Sequence, residues 1–227
     1  MKQLINPAEG SSLSKWPAGN VYQFFAENVA EYLKAIGTNG HNGLDIAMTE
    51  GTPILASEGI VCEVNDSPAG YGKHVRIKTI PDSDGNYLEL TYGHGKNISV
   101  KIGDNVKDSQ KIMEMSNTGF VISGNTTYWG NAPAGKGVHL HFGVRECSIK
   151  NTGWITTYSD GSHSYIKNYD NGFKGSVDPM KFLEQSKESL TQNTDQSYTP
   201  EQLQNFSKQL TIIQKIVNLL FSWYNKK

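Results

Sequence analysis

Five short segments of strand character lie between residues 60 and 144: I-V-C-E-V (60–64), H-V-R-I-K-T-I (74–80), Y-L-E-L-T-Y (87–92), K-I-M-E-M (111–115) and V-H-L-H-F-G-V (138–144). Gly, Asp and Asn clusters separate them. Short strands this close together, joined by tight turns, form an antiparallel sheet that is rolled or stacked on another. The 23 glycines and 11 tyrosines, with 37% hydrophobic residues, suit such a turn-rich, mainly β chain.

The rest of the chain is arranged around that sheet. Residues 1–20 are punctuated by Pro and Gly and read as an irregular lead-in. N-V-A-E-Y-L-K-A-I-G predicts a short helix, with Asn28 as N-cap, Val29, Tyr32, Leu33 and Ile36 on one face, and Gly37 as the stop. Residues 147–175 break the strand rhythm and read as a long loop carrying Trp154, Tyr158, Tyr165, Tyr169 and Phe173. V-D-P-M-K-F-L (177–183) reads as a closing helical turn.

Residues 184–199 have a linker's polar composition. After it, Thr199, Pro200 and Gln202 make a helix start. Leu203, Phe206, Leu210, Ile213, Val217, Leu220 and Tyr224 then recur as a heptad stripe. The expected layout is a domain over 1–183, a linker over 184–199 and a C-terminal apolar helix over 200–227. That helix suits self-association or docking into an assembly, with folding back or a membrane surface as alternatives.

A formal net charge of −1 gives no electrostatic reason for nucleic acid as a partner. Cys62 and Cys147 are too few for a disulfide framework and read as buried, unpaired thiols. The opening M-K-Q-L-I-N-P-A-E-G-S-S has no apolar core of a secretory signal, and no apolar run reaches the ~18 residues of a membrane span.

Chemistry concentrates on histidine. In G-V-H-L-H-F-G-V (137–144), alternation points His139 and His141 one way and Leu140 and Phe142 the other. A core strand rarely tolerates two stacked imidazoles without partners. Upstream, G-H-N-G-L-D sets His41 and Asp45 four apart across a turn-forming Asn-Gly, and T-Y-G-H-G surrounds His94. Imidazole and carboxylate are zinc ligands, and catalytic sites leave one position open. His74, on an alternating strand, and His163, in a Ser/Gly-rich stretch, read as solvated surface imidazoles.

The blocks H-N-G-L-D-I-A, G-T-P-I-L-A-S-E-G-I-V, G-Y-G-K-H-V-R-I, Y-G-H, G-D-N-V-K-D-S-Q-K-I, S-N-T-G and H-L-H-F run in order from about Val21 to Leu183. Together they closely resemble the lysostaphin/LytM family, the twenty-third family of zinc metallopeptidases, which cleaves peptide cross-links of bacterial cell walls. The resemblance implies one zinc ion held by His41, Asp45 and His141, with His94 and His139 as the two catalytic histidines. Either histidine could take a proton from water, pass one to the leaving amine or stabilise the oxyanion.

The chain departs from the family between Gly119 and His139, where Tyr128 and Trp129 stand in a longer link. These two, with Trp154 and Tyr158, are the candidate substrate-binding aromatics. The expected function is peptidoglycan endopeptidase, the alternative a non-catalytic wall-binding or activator protein of the same fold. Without a secretory signal, the expected delivery is phage-borne, as a virion or tail enzyme or one released at lysis.

Overall fold

A computed structural model of the chain describes residues 3–130 and 132–183. The expected linker and apolar helix at 184–227 lie outside the described residues. Strands β1 (Val21–Gln23), β2 (Leu44–Ile46), β3 (Pro53–Ala56), β4 (Gly59–Ser67), β5 (Gly72–Thr79), β6 (Asn86–Lys96), β7 (Asn105–Val106) and β8 (Gln110–Met115) come first. They are followed by β9 (Phe120–Ser123), β10 (Thr126–Trp129), β11 (Leu140–Ser148), β12 (Ile155–Thr157), β13 (His163–Ile166) and β14 (Ser176–Val177). All five expected strand segments are present, within a few residues of their expected ends, and the fold is mainly β and antiparallel. Twelve strands join one sheet whose central order is β1-β2-β11-β6-β5-β4-β7; β9 and β10 form a separate hairpin.

The central strands obey the two-residue alternation. Leu140, Phe142 and Val144 of β11 are almost wholly buried in the main apolar core, with Leu44 and Ile46 of β2 and Leu90 and Tyr92 of β6. The opposite face of β11 presents His141, Gly143 and Arg145. Register sets His141 across from Asp45 on one side and from Gly93 on the other. The irregular lead-in is also stitched to this core: Leu4 and Ala8 are fully buried, and Leu4 N–H donates to the Phe182 carbonyl at 2.6 Å.

Two expectations need correction. Helix α1 (Val29–Ile36) forms and stops at Gly37, but Asn28 has φ 57° and makes no side-chain cap. Its apolar face is not buried either: Val29, Leu33 and Ile36 are 44–55% exposed. The helix is short, and of the four apolar residues only Tyr32 turns inward. Second, 147–175 is not a structureless loop. Strands β12 and β13 pair with each other, and β13 and β14 pair with β11. The longer link after Gly119 is the β9–β10 hairpin, in which Tyr128 faces Val121 and Trp129 faces Phe120. The closing turn at Pro179–Lys181 is 3-10, capped by Asp178 Oδ1 accepting from Met180 N–H at 3.0 Å. Cys62 and Cys147 are free and buried.

Candidate metal centre

Asp45 and His141 are brought face to face by strand register, and His41 closes on them from the segment leading into β2. His41 Nε2, Asp45 Oδ1 and His141 Nδ1 form a nearly equilateral triangle, with edges of 3.1, 3.0 and 3.1 Å. All three residues are buried. His41 Nδ1 lies 3.2 Å from the Phe24 carbonyl, which can only accept, so the proton of the neutral ring sits on Nδ1 and Nε2 keeps a lone pair. Asp45 Oδ1 carries lone pairs as well.

One proton on His141 Nδ1 cannot satisfy all three edges at once. A cation can. Zinc bonds of about 2.0–2.1 Å to N and O imply tetrahedral edges of about 3.3–3.4 Å, a few tenths above those observed. The residues therefore fit a zinc ion, with three donors and room for an open position.

Burial alone would raise the Asp45 carboxyl, but the nearby His41 and His139 and a hydrogen bond from His141 hold it well below the usual carboxylate range. Burial pushes the His141 imidazole down, partly offset by Asp45. Asp45 is thus held as the anion and His141 as the uncharged imidazole, the states a metal requires of such ligands.

His139 and His94 stand beside the triangle with their rings 4.5 Å apart. His139 Nδ1 donates to the Gly137 carbonyl at 2.8 Å, and its Nε2 lies 3.8 Å from Asp45 Oδ1. His94 Nδ1 donates to the Thr118 carbonyl at 2.7 Å. Each neutral ring is therefore fixed in the tautomer whose Nε2 bears the lone pair. Burial, then the neighbouring His139 and His141, hold His94 well below its ordinary pKa.

His94 reaches this face through a bulge. Simple alternation would send it to the core side with Tyr92. Instead the register slips between Lys73 and Val75, so that Gly93 and His94 together oppose the single residue His74. His94 takes φ 62°, a left-handed conformation costing a non-glycine residue roughly 1–2 kcal/mol. Bulges of this kind re-aim a side chain, and this one turns His94 toward His139 and His141.

Of the aromatics expected at substrate, Tyr128 and Trp129 lie on the β9–β10 hairpin. It springs from Thr118–Gly119 beside His94, and Trp129 is 58% exposed. Tyr158 is a correction: it is buried, its hydroxyl donating to Glu89 and hydrogen-bonded to Ser164 at 2.7 Å, so it offers no surface to a ligand. Trp154 is a second correction. It stacks on Tyr169 beside the end of β11 that pairs with β13, about six residues or ~20 Å of strand from His141. Trp154 and Tyr169 pack there, whereas Phe173 packs on Phe25.

His74 is a third correction. It is 4% exposed, with Nδ1 donating to the Gly72 carbonyl at 2.8 Å and Nε2 2.8 Å from Glu63 Oε1. His163 is exposed, as expected.

Residues overlooked in the sequence complete the centre. The Tyr32 ring lies 5.2 Å from that of His41, and Tyr71 stacks on His141. Gly43 is needed for space: a Cβ there would stand 2.6 Å from His141 Cε1 and 2.7 Å from Nε2. The Asn-Gly of the 41–45 motif thus matters through this close approach.

The model of peptidase family M23 matches residues 39–155, which hold the whole triangle and both flanking histidines. The chain belongs to peptidase family M23. This M23 chain is 30% identical over 169 residues to the glycyl-glycine endopeptidase ALE-1 of Staphylococcus capitis, covering 70% of the chain and 41% of that relative. It is 36% identical over 106 residues to the lipoprotein NlpD/LppB homolog of Pseudomonas aeruginosa, covering 46% of the chain and 31% of the relative. The chain spans less than half the length of these curated relatives. Among solved structures it is similar to the catalytic domain of lysostaphin from Staphylococcus simulans, at 25% identity and a TM-score of 0.40, covering 65% of this chain and 80% of that one. Among the described residues, no helix is long and apolar enough to cross a membrane.

Proposed function

We propose that the chain is a peptidoglycan endopeptidase that hydrolyses cell-wall peptide cross-links, with one zinc ion held by His41, Asp45 and His141. The observation that carries this reading is the three-donor triangle flanked by two imidazoles whose Nε2 lone pairs are free for proton transfer. A zinc ion held by these residues would supply Lewis-acid chemistry, polarising a scissile carbonyl and lowering the pKa of water toward neutrality.

The chain's own residues do the rest. Asp45 stays anionic and offsets part of the ion's charge. His94 and His139 accept and return protons at Nε2, taking one from the attacking water and delivering one to the leaving amine. General acid–base help of this kind is worth about 10²–10⁴ in rate. The backbone carbonyls of Thr118 and Gly137 hold both rings in the working tautomer. Tyr128 and Trp129 line one wall of the substrate groove. ALE-1, by its name a glycyl-glycine endopeptidase, supports an internal peptide bond as the bond hydrolysed.

Delivery by a phage virion, by its tail or at lysis belongs to the same proposal. The apolar heptad stripe of 200–227 supplies the attachment surface or self-associates. Light scattering of the chain with and without 184–227 tests self-association.

The deciding experiment digests purified sacculi of two chemistries, direct diaminopimelate cross-links and pentaglycine bridges, and identifies released fragments by mass. Cleavage of one wall, abolished by chelation and cut about 10²–10⁴-fold by His139→Ala, is the expected result. A zinc-loaded protein that cleaves neither wall refutes the enzyme and favours a wall-binding or activator role.

A further inference from the structure

The turn between β4 and β5 carries Tyr71 into the centre of the site, and the chemistry above makes no use of it. Its ring stacks on that of His141, with centroids 4.8 Å and planes 26° apart. Its hydroxyl accepts from Asn42 Nδ2 at 3.0 Å. Its carbonyl accepts from His94 N–H at 2.7 Å. One residue therefore touches three separate pieces of the centre: the 41–45 segment, the β11 ligand and the bulge that carries His94.

Space for these contacts comes from two glycines. A Cβ on Gly93 would stand 3.2 Å from Tyr71 Cβ and 3.4 Å from His141 Cβ, tight enough to part the two rings. A Cβ on Gly72 would fall 2.3 Å from the Thr118 carbonyl carbon, the same carbonyl that accepts from His94 Nδ1. The turn is anchored from below as well, because His74 holds the Gly72 carbonyl and lies against Glu63, with its ring 5.9 Å from Tyr71. Tyr71 itself belongs to neither apolar core cluster. The surrounding structure holds the residue, but the core does not depend on it.

We propose that Tyr71 is a positioning residue of the metal centre, its ring bracing the His141 ligand, its hydroxyl latched to Asn42 and its carbonyl fixing the His94 bulge. The proposal rests on reading His41, Asp45 and His141 as zinc ligands. Without the brace, the ion must itself order the His141 ring, and the turn whose carbonyl pins the strained His94 backbone loses its side-chain anchors. Groups that orient metal ligands typically change metal affinity by about 10–100-fold when removed.

The test uses the full chain with Tyr71→Leu, Tyr71→Phe, Asn42→Ala and the Asn42→Ala/Tyr71→Phe pair. Zinc affinity is measured by competition with a chromophoric chelator, alongside the melting temperature of the metal-free protein and kcat and KM on a wall peptide. Tyr71→Leu is expected to weaken zinc by about 10–100-fold and to lower kcat more than it raises KM, with the metal-free melting temperature within a few degrees of wild type. Tyr71→Phe keeps the stack and loses only the latch, weakening zinc by about 2–10-fold, the worth of one hydrogen bond. Asn42→Ala should match it, and the pair should be no worse than either alone.

Wild-type zinc affinity in Tyr71→Leu overturns the proposal while leaving the enzyme reading intact. Additive effects of Asn42→Ala and Tyr71→Phe overturn the latch. A wild-type protein that binds zinc but cuts no wall, with Tyr71→Leu still weakening the metal, sinks the enzyme reading and leaves this one standing. Failure of the wild type to bind zinc refutes both.

Discussion

Gly43→Ala adds one carbon where the structure has no room for it. The new Cβ would stand 2.6 Å from His141 Cε1, 2.7 Å from Nε2 and 2.7 Å from the Phe142 carbonyl oxygen. Carbon contacts in a packed interior lie at about 3.5–4.0 Å, so roughly 1 Å of movement is required. The carbonyl cannot give way cheaply, because Phe142 is paired with Leu44 in the β11–β2 ladder. The imidazole is backed on another side by the stacked Tyr71 ring. Either β2 moves off β11, carrying Asp45 with it, or the His141 ring turns and Nδ1 leaves the triangle.

Overpacking of this kind costs about 1–3 kcal/mol. For a chain of this size that is a melting-temperature loss of about 2–12 °C, at roughly 2–4 °C per kcal/mol. Zinc affinity should fall with it by at least about tenfold, since both escape routes break the donor set. The assays are thermal unfolding of the metal-free protein and zinc competition. Gly70→Ala is the control: the nearest atom to its new Cβ would be Ser67 Oγ at 3.7 Å, so a change within about 0.5 kcal/mol is expected. A Gly43→Ala protein that melts and binds zinc like wild type would show that the close approach is not what the glycine is for.

Tyr158→Phe strips a donor from the buried Glu89 carboxylate and should destabilise the protein by about 1–3 kcal/mol in urea while KM on wall peptide stays put; a raised KM at unchanged stability would return this residue to the substrate site. Hydrogen bonding from His74, outweighing burial and helped by Arg76, holds the Glu63 carboxyl below its ordinary 4.5. A depressed carboxylate stabilises above the unfolded pKa and loses that contribution as pH falls through the folded one. The wild-type melting temperature should therefore drop as pH falls below about 4.5, and Glu63→Gln, less stable at pH 7, should show a shallower decline there. Burial pushes the Cys62 and Cys147 thiols up to about 12, so a thiol-reactive disulfide reagent should label neither in the folded protein and both after denaturation; fast native labelling would contradict their burial.

Much of the fold was legible because strand alternation is a local rule. V-H-L-H-F-G-V alone required Leu140 and Phe142 to share a core face and His139 and His141 to share the other, and the buried pair and the site pair are found there. The five strand segments and the antiparallel sheet followed from apolar runs broken by Gly, Asn and Asp. The family resemblance was legible for the same reason, since its motifs are short and contiguous.

What tertiary structure decided is whatever depends on register or on what covers a face. His94 reaches the site only because a bulge opposite His74 reverses its direction, and a bulge is a property of two strands together. His74 looked like a surface imidazole until Glu63, eleven residues away on β4, was brought against it. Tyr158 is 69 residues from Glu89, and only the fold shows that its hydroxyl is spent on that carboxylate. Tyr71 and Gly43 make the same point about space. Residue type and spacing name the donors that can meet, while pairing and packing across distant segments fix where each side chain ends.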